Sequence, residues 1–304
     1  MKKSTRTKCI GAVILVAVLI LAGSGTAMAF GHYTPGVEGI NAATLPPPGL
    51  HYLMYNLFYN SDTLTDDNGD DIDVGLDLNV YANVHRFAYI TNQKLLGADV
   101  GVGTIIPLLY TNIEIEALGV DEDTFGIGDI LLEPLILGWH FPQLDVTAAL
   151  GVFTPTGEND APSDPGLGYW SIMETLGATY YFDSARTISA SVLTRWLQNT
   201  EDDDTDITAG ADMVAEYGVS KMIPLQETLL LFAGVTGYSY AQLAEDSGDT
   251  SSDEKFIGHA IGAEVRLLSL KPFPMQMSLR YSYEYGAENT TEGQSACLTL
   301  IGSF

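Results

Sequence analysis

The sequence predicts an all-β protein, a transmembrane antiparallel β-barrel of about twelve strands. Three observations carry the prediction. Apolar and polar residues alternate strictly along segment after segment, and nothing of comparable strength repeats every 3.6 residues. Many of these segments run to ten or more residues, which matches the ~9–11 a tilted strand needs to cross a bilayer and exceeds an ordinary soluble strand. The connections alternate between longer acidic loops and short turns, and aromatic residues collect near segment ends, where an interfacial girdle would sit. A soluble β-sandwich or lipocalin-like barrel shares the alternation but not the other two features.

Taken in order, residues 1–29 stand outside the fold. "MKKSTRTK" is a basic n-region, "CIGAVILVAVLILAG" an apolar h-region, and "AMA" at 27–29 a small-x-small cleavage site. The apolar stretch is shorter than the ~20 residues of a spanning helix, so the chain reads as exported through a cleaved signal peptide. Residues 30–49, "FGHYTPGVEGINAATLPPPG", lack alternation and hold four prolines, which excludes a central strand. They read as a periplasmic segment or a short plug, and Tyr33, Val37, Ile40 and Leu45 give them more to bury than a linker needs.

The barrel follows over 50–304. Its candidate strands fall near 50–60, 72–86, 96–116, 126–141, 144–154, 169–182, 187–199, 207–221, 228–240, 256–269, 275–286 and 294–304. "MQMSLRYSYEY" (275–285) is the cleanest, with Met275, Met277, Leu279 and three tyrosines on one face and Gln276, Ser278, Arg280, Ser282 and Glu284 on the other. "DVGLDLNVYANVH" (73–85) sets Val74, Leu76, Leu78 and Val80 against Asp73, Asp77 and Asn79, which predicts the apolar set on lipid and Asp77 in the lumen. "SDTLTDDNGDD", "GVDEDTFG", "TPTGENDAPSDPGLG", "TEDDDTD", "AEDSGDTSSDEK" and "AENTTEGQ" read as six external loops. "FPQ", "FDSART", "IPLQE" and "LKPFP" read as turns, with "RFAYITNQK" as a longer connection. Both termini then lie on the periplasmic side.

Charge narrows the partners. Removing Lys2, Lys3, Arg6 and Lys8 with the signal leaves 9 of the 13 basic residues against 39 acidic ones, a net charge of −30. Nucleic acid is excluded, because phosphate binding needs clustered Lys and Arg. Cys297 is the one cysteine left, so no internal disulfide is available. The expected partners are outer-membrane lipid, a small-molecule solute and, through a last strand ending on Phe304, the barrel-assembly machinery.

No metal, cofactor or catalytic residue emerges. If Gly69 takes the glycine position of an EF-hand loop, Leu64 and Gly75 fall where carboxylates are required. His32, His51, His85, His140 and His259 accompany many serines, but no G-x-S-x-G elbow, C-x-x-C, H-E-x-x-H or phosphate loop is present. The alternation assigns Asp77, Asp99, Glu133, Glu174, Arg195, Asp212, Glu216, Arg266, Arg280 and Glu284 to the lumen. An arginine on the lipid face at mid-plane would cost ~2–4 kcal/mol, so Arg195, Arg266 and Arg280 should turn inward and pair with acids. Tyr52, Met54, Trp139 and Trp170 are the candidate inward contacts for a solute.

Several stretches resemble one family throughout. "HYTPGVEGINAATLPPPGLHYLMYNLFY", "FGIGDILLEPLILGWHF", "GVFTPTGEND", "GLGYWSIMETLGATYYF" and "SYEYGAENTTEGQSACLTL" are similar to the proteins of the MetA-pathway of phenol degradation, from about His32 to the C-terminus. The resemblance implies an outer-membrane barrel of a Gram-negative bacterium that transports hydrophobic or aromatic compounds by passive diffusion, with no catalytic residues to carry over. The alternative is a structural or adhesive surface barrel with a plugged lumen. Rigid pairing of the three arginines would favour the plugged barrel, and an apolar pocket beside 30–49 would favour the channel.

Overall fold

The computed structural model describes residues 31–248 and 251–304, and the predicted signal sequence lies outside them. Fifteen strands form: β1 Gly49–Leu64, β2 Leu76–Leu95, β3 Ala98–Ile115, β4 Val120–Ile127, β5 Ile130–Phe141, β6 Leu144–Thr154, β7 Ser171–Tyr181, β8 Ile188–Asn199, β9 Glu201–Asp202, β10 Ile207–Thr208, β11 Asp212–Gln226, β12 Leu229–Gln242, β13 Ile257–Ser269, β14 Met275–Glu288 and β15 Thr291–Ser303. Each main strand pairs antiparallel with the next, and β1 pairs with both β2 and β15, so the sheet closes on itself. β4 and β5 are two halves of one stave, because β3 pairs with β4 above and β5 below. The short β9–β10 hairpin stands apart in a loop. The barrel therefore has twelve staves, and closure leaves β4, which pairs with β3 alone, as the one strand of its sheet with an unpaired edge among the described residues.

Long connections gather at one rim: 65–75, 155–170, 200–211 and 243–256. Tight turns gather at the other, together with the start of β1 and Phe304, whose backbone exchanges hydrogen bonds with Leu50. Three predicted connections are strand instead. "RFAYITNQK" continues β2 down to a turn at Leu96–Gly97, "GVDEDTFG" lies almost entirely in β4, and "AENTTEGQ" shrinks to a turn at Asn289–Thr290. Polar strand residues beyond either edge of the membrane need no loop chemistry, so their polarity misled the sequence reading.

Strand by strand, one face packs into the lumen and the other is exposed. Leu279, Tyr281, Tyr283 and Tyr285 of β14 stand outside, while Ser278, Arg280, Ser282 and Glu284 are buried. Exposed aromatics ring the wall near both rims: Phe141, Tyr180 and Phe182 by the turns, Phe125, Trp170 and Tyr285 by the loops. The long-loop end of the lumen is filled by an apolar core in which Leu78, Val80, Ile113, Met173, Leu197 and Tyr240 meet. Here β2 reverses the prediction. Leu76, Leu78 and Val80 point inward, and Asp77 and Asn79 are exposed outside. This upper part of the barrel is built like a soluble protein, wet outside and dry within.

Candidate functional site

Residues 31–48 run through the lumen from the loop rim to the turn rim. His32 binds side chains of β7 and of the Gly128–Asp129 break, Asn41 binds Ser189 of β8, Thr44 meets Tyr181 of β7, and Pro47 O meets His51 of β1. Ile40 and Ala43 are essentially inaccessible. Only a chain inside the barrel can touch so many staves.

The segment supplies what the buried charges of the wall lack. Glu38 takes Arg86 at 3.0 Å and Arg195 at 3.3 Å. Arg86 also reaches Glu133 at 2.9 Å, and Arg195 reaches Glu216 at 2.8 Å. The Arg195 guanidinium lies 4.1 Å over the Tyr33 ring, whose hydroxyl donates to Glu216 at 2.6 Å. Glu264 binds Arg266 and Arg280 at 2.8 and 3.1 Å and accepts the Ile40 amide at 2.9 Å. Arg266 and Arg280 then donate to the carbonyls of Ile40 and Gly36. Buried ions are tolerated only when each lone pair and proton is matched, and the segment's backbone provides those matches.

Asp129 is the second anchor. It sits where the wall is interrupted: β3 pairs with β5 up to Ile105 and with β4 from Leu108, and Gly128–Asp129 fall between. Pro107, opposite the gap, has no N–H to give, while its carbonyl accepts from Gly128. Pro134 marks a register break between β5 and β6. The Asp129 carboxylate accepts from the amides of Thr156, Gly157 and Leu167 at 2.8–2.9 Å and meets His32 Nε2 at 2.9 Å. One side chain thus ties the 155–170 loop and the N-terminal segment to the gap.

A cavity of about 130 Å³ opens beside the segment and against this gap. Val37, Leu57, Val84, Pro107, Leu131, Phe153 and Met173 make most of its wall, and Glu38, Glu133, Arg195, His32 and Asp129 its polar margin. A cavity of about 150 Å³ lined by aliphatic and aromatic groups holds benzene, so this one is of single-ring size.

His32, Ser171 and Asp129 form a Ser–His–Asp constellation that no spacing in the sequence revealed. Ser171 Oγ lies 2.6 Å from His32 Nδ1. Ser171 has no accessible surface, however, and its hydroxyl donates to Asn199 Oδ1 at 2.5 Å. A nucleophile must reach its substrate, so the triad is a tether.

Of the residues assigned to the lumen, Asp99, Glu133, Arg195, Asp212, Glu216, Arg266, Arg280 and Glu284 point inward. Asp77 and Glu174 do not; both are exposed on the outer wall, Glu174 between Ile172 and Leu176. The four candidate solute contacts are also corrected. Tyr52, Met54, Trp139 and Trp170 stand on the outer face, Tyr52 bonded to His85 and Trp139 to the Leu96 carbonyl. The rings of Tyr52, Trp139 and Trp170 each carry a polar tip on an apolar body, the chemistry suited to a membrane interface. Arg86 and Glu38 were missed because one was read in a connection and the other in a segment without periodicity. The arginine rule applied to β2 would have found Arg86.

Three comparisons bear on this architecture. The family model for the MetA-pathway of phenol degradation matches residues 61–300. The COG4313 outer membrane channel from Pseudomonas putida F1 superposes with a TM-score of 0.71 at 16% identity, covering 90% of this chain and 100% of that one. The beta domain of the Bordetella autotransporter BrkA gives a TM-score of 0.53 at 11% identity, with 84% and 100% covered. No curated protein sequence matches the chain. At these identities the superpositions speak for the barrel fold alone.

Proposed function

The chain belongs to the MetA-pathway of phenol degradation family and is an outer-membrane β-barrel, and from that premise we propose that it is a passive channel for small apolar or aromatic solutes. The cavity beside the N-terminal segment carries the reading. It is mostly apolar, single-ring in size and lies between the buried ion pairs and the apolar core of the loop end. Such a site favours a desolvated ring over an ion. The wall gap at Pro107 and Gly128 borders it, so the route favoured for the solute leads sideways through the wall, where the backbone ladder is already broken. Residues 31–48 act as the plug of the axial path. Asp99, Glu133, Arg195, Asp212, Glu216, Arg266, Arg280 and Glu284 stiffen the lumen, and the inaccessible Ser171 speaks for transport without catalysis. Phe304, exposed at the turn rim, is available to the barrel-assembly machinery of a Gram-negative cell, which the chain reaches through its cleaved signal.

Uptake of a radiolabelled monocyclic hydrocarbon by cells bearing the full chain tests the reading. Leu131→Trp and Val84→Phe, which fill the cavity, should each lower the rate at least about five-fold, because an overfilled pocket excludes its ligand. Equal uptake by wild type, both variants and cells without the protein would overturn it. The paired arginines would then leave a structural barrel with a plugged lumen as the surviving account.

A further inference from the structure

The cavity beside the N-terminal segment has two unlike ends. Toward the loop rim its wall is apolar, with Leu57, Leu131, Phe153 and Met173. Toward the turn rim, the alternation of β1, β2 and β5 places Tyr55, Arg86 and Glu133 two residues beyond Leu57, Val84 and Leu131. Glu38 of the segment and Arg195 of β8 meet them there. An occupant with one apolar and one polar end matches this division better than one that is apolar throughout.

The ion pairs at the polar end do not use every donor. Glu38, Glu133 and Glu216 take up Arg86 and Arg195, yet the Tyr55 hydroxyl, Arg86 Nε and Arg195 Nε are buried without a hydrogen-bond partner. Tyr55 is 4% exposed and lines the cavity. Its hydroxyl lies beside the Arg86 guanidinium, and its buried neighbours are otherwise Leu57, Ala82 and Cys297. A buried donor left without an acceptor is costly, and the occupant of the cavity is placed to supply one.

We propose that Tyr55 sets the specificity of this cavity and that its preferred occupant is an uncharged single ring carrying one oxygen substituent. The oxygen accepts from the Tyr55 hydroxyl, and Arg195, which also lines the cavity, holds a second unused donor. The ring then lies among Leu57, Leu131, Phe153 and Met173. A plain hydrocarbon fills the apolar end but leaves the hydroxyl bare. Sites with a buried hydrogen-bonding group discriminate strongly against analogues that lack the matching atom. An anion gains little, because three carboxylates already outnumber the two guanidinium groups here. The inference rests on reading the cavity as the solute's site and adds the class of solute.

Fluorine NMR of the full chain in detergent, with 4-fluorophenol, 4-fluorotoluene and 4-fluorobenzoate as probes, supplies the test. Each affinity is taken from the difference between the wild type and Leu131→Trp, whose filled cavity leaves partition into the micelle unchanged. The wild type should bind 4-fluorophenol at least about five-fold more tightly than 4-fluorotoluene, and 4-fluorobenzoate not measurably. Tyr55→Phe keeps the ring and removes only a hydroxyl that has no partner, so the barrel should fold as before. It should lower the affinity for 4-fluorophenol to that for 4-fluorotoluene and leave the latter unaltered. Equal affinities for the two neutral probes in the wild type, or an unaltered preference in Tyr55→Phe, would overturn the inference and leave the channel reading standing. Failure of the hydrocarbon-uptake test with this preference intact would overturn the channel reading alone. Binding of neither neutral probe would overturn both.

Discussion

Gly39 shows how little room the lumen leaves. A Cβ there would fall 1.6 Å from Glu264 Oε2 and 2.5 Å from an Arg280 nitrogen, both already held in the ion-pair network. Gly39→Ala must push Glu264 off one arginine, and an uncompensated buried charge costs about 3–5 kcal/mol. The variant should lose a comparable amount of stability in urea-induced unfolding from detergent, whereas Ala42→Gly, on the same segment, should lose less than about 1 kcal/mol. Asp129→Ala removes the acceptor shared by Thr156, Gly157, Leu167 and His32. A loss of about 3 kcal/mol is expected, with proteolytic cleavage appearing in 155–170. If that loop stays protected, Asp129 is not what holds it over the gap.

At the scale of elements, the segment 31–48 and the turn 182–187 behave differently. The segment carries Glu38, Tyr33 and Val37 into both the ionic network and the apolar core, so its removal opens both. The intact protein should pass no steady ionic current in a planar bilayer, and the chain lacking 31–48 should pass one. Current in the intact protein would mean that the lumen is not sealed as the contacts indicate. The turn is held by Asp183, whose carboxylate accepts from the amides of Ile188 and Thr187 and from the Thr187 hydroxyl. The Ile188 amide, with the Thr187 groups, holds its carboxyl below the usual carboxylate range. A depressed folded-state pKa means that the turn's stabilisation is complete above the ordinary carboxylate range and fades as pH falls through the lower value. Amide exchange at Thr187 and Ile188 should therefore quicken relative to neighbouring amides only in acid, and Asp183→Asn should abolish that dependence.

For the whole molecule, twelve staves lie between the eight whose side chains fill a barrel and the sixteen that leave a water-filled pore. The gap is made up by a piece of the chain itself: about eighteen residues of segment and the ion pairs that receive it. The segment crosses the lumen, a mostly apolar cavity remains beside it, and the nearest weakness in the wall is the broken ladder at Pro107 and Gly128. Transport of an apolar solute without ion conduction is the behaviour expected of this arrangement. Parallel uptake and conductance measurements on the same preparation check it, and equal permeability to a small sugar would contradict it.

Strand number, strand order and the class of fold were legible in the sequence, because a period of two follows from backbone geometry and survives any environment. The inward turn of Arg195, Arg266 and Arg280 was legible too, since lipid forbids the alternative. Which face of β2 is the inner one was not. Above the membrane the outside is water, so the same alternation takes the opposite sense and sends Asp77 out and Leu78 in. The aromatic positions Tyr52, Trp139 and Trp170 were ambiguous for a related reason, as a ring with a polar tip suits an interface as well as a pocket. Contacts between residues more than a hundred positions apart, such as His32 with Ser171 and Glu38 with Arg195, leave no local pattern to read. The sequence by itself determined a closed twelve-stave barrel with a charged interior. Only the tertiary structure decided that the chain's own N-terminal segment fills it, because that depends on which charges the closed ring brings within reach of one another.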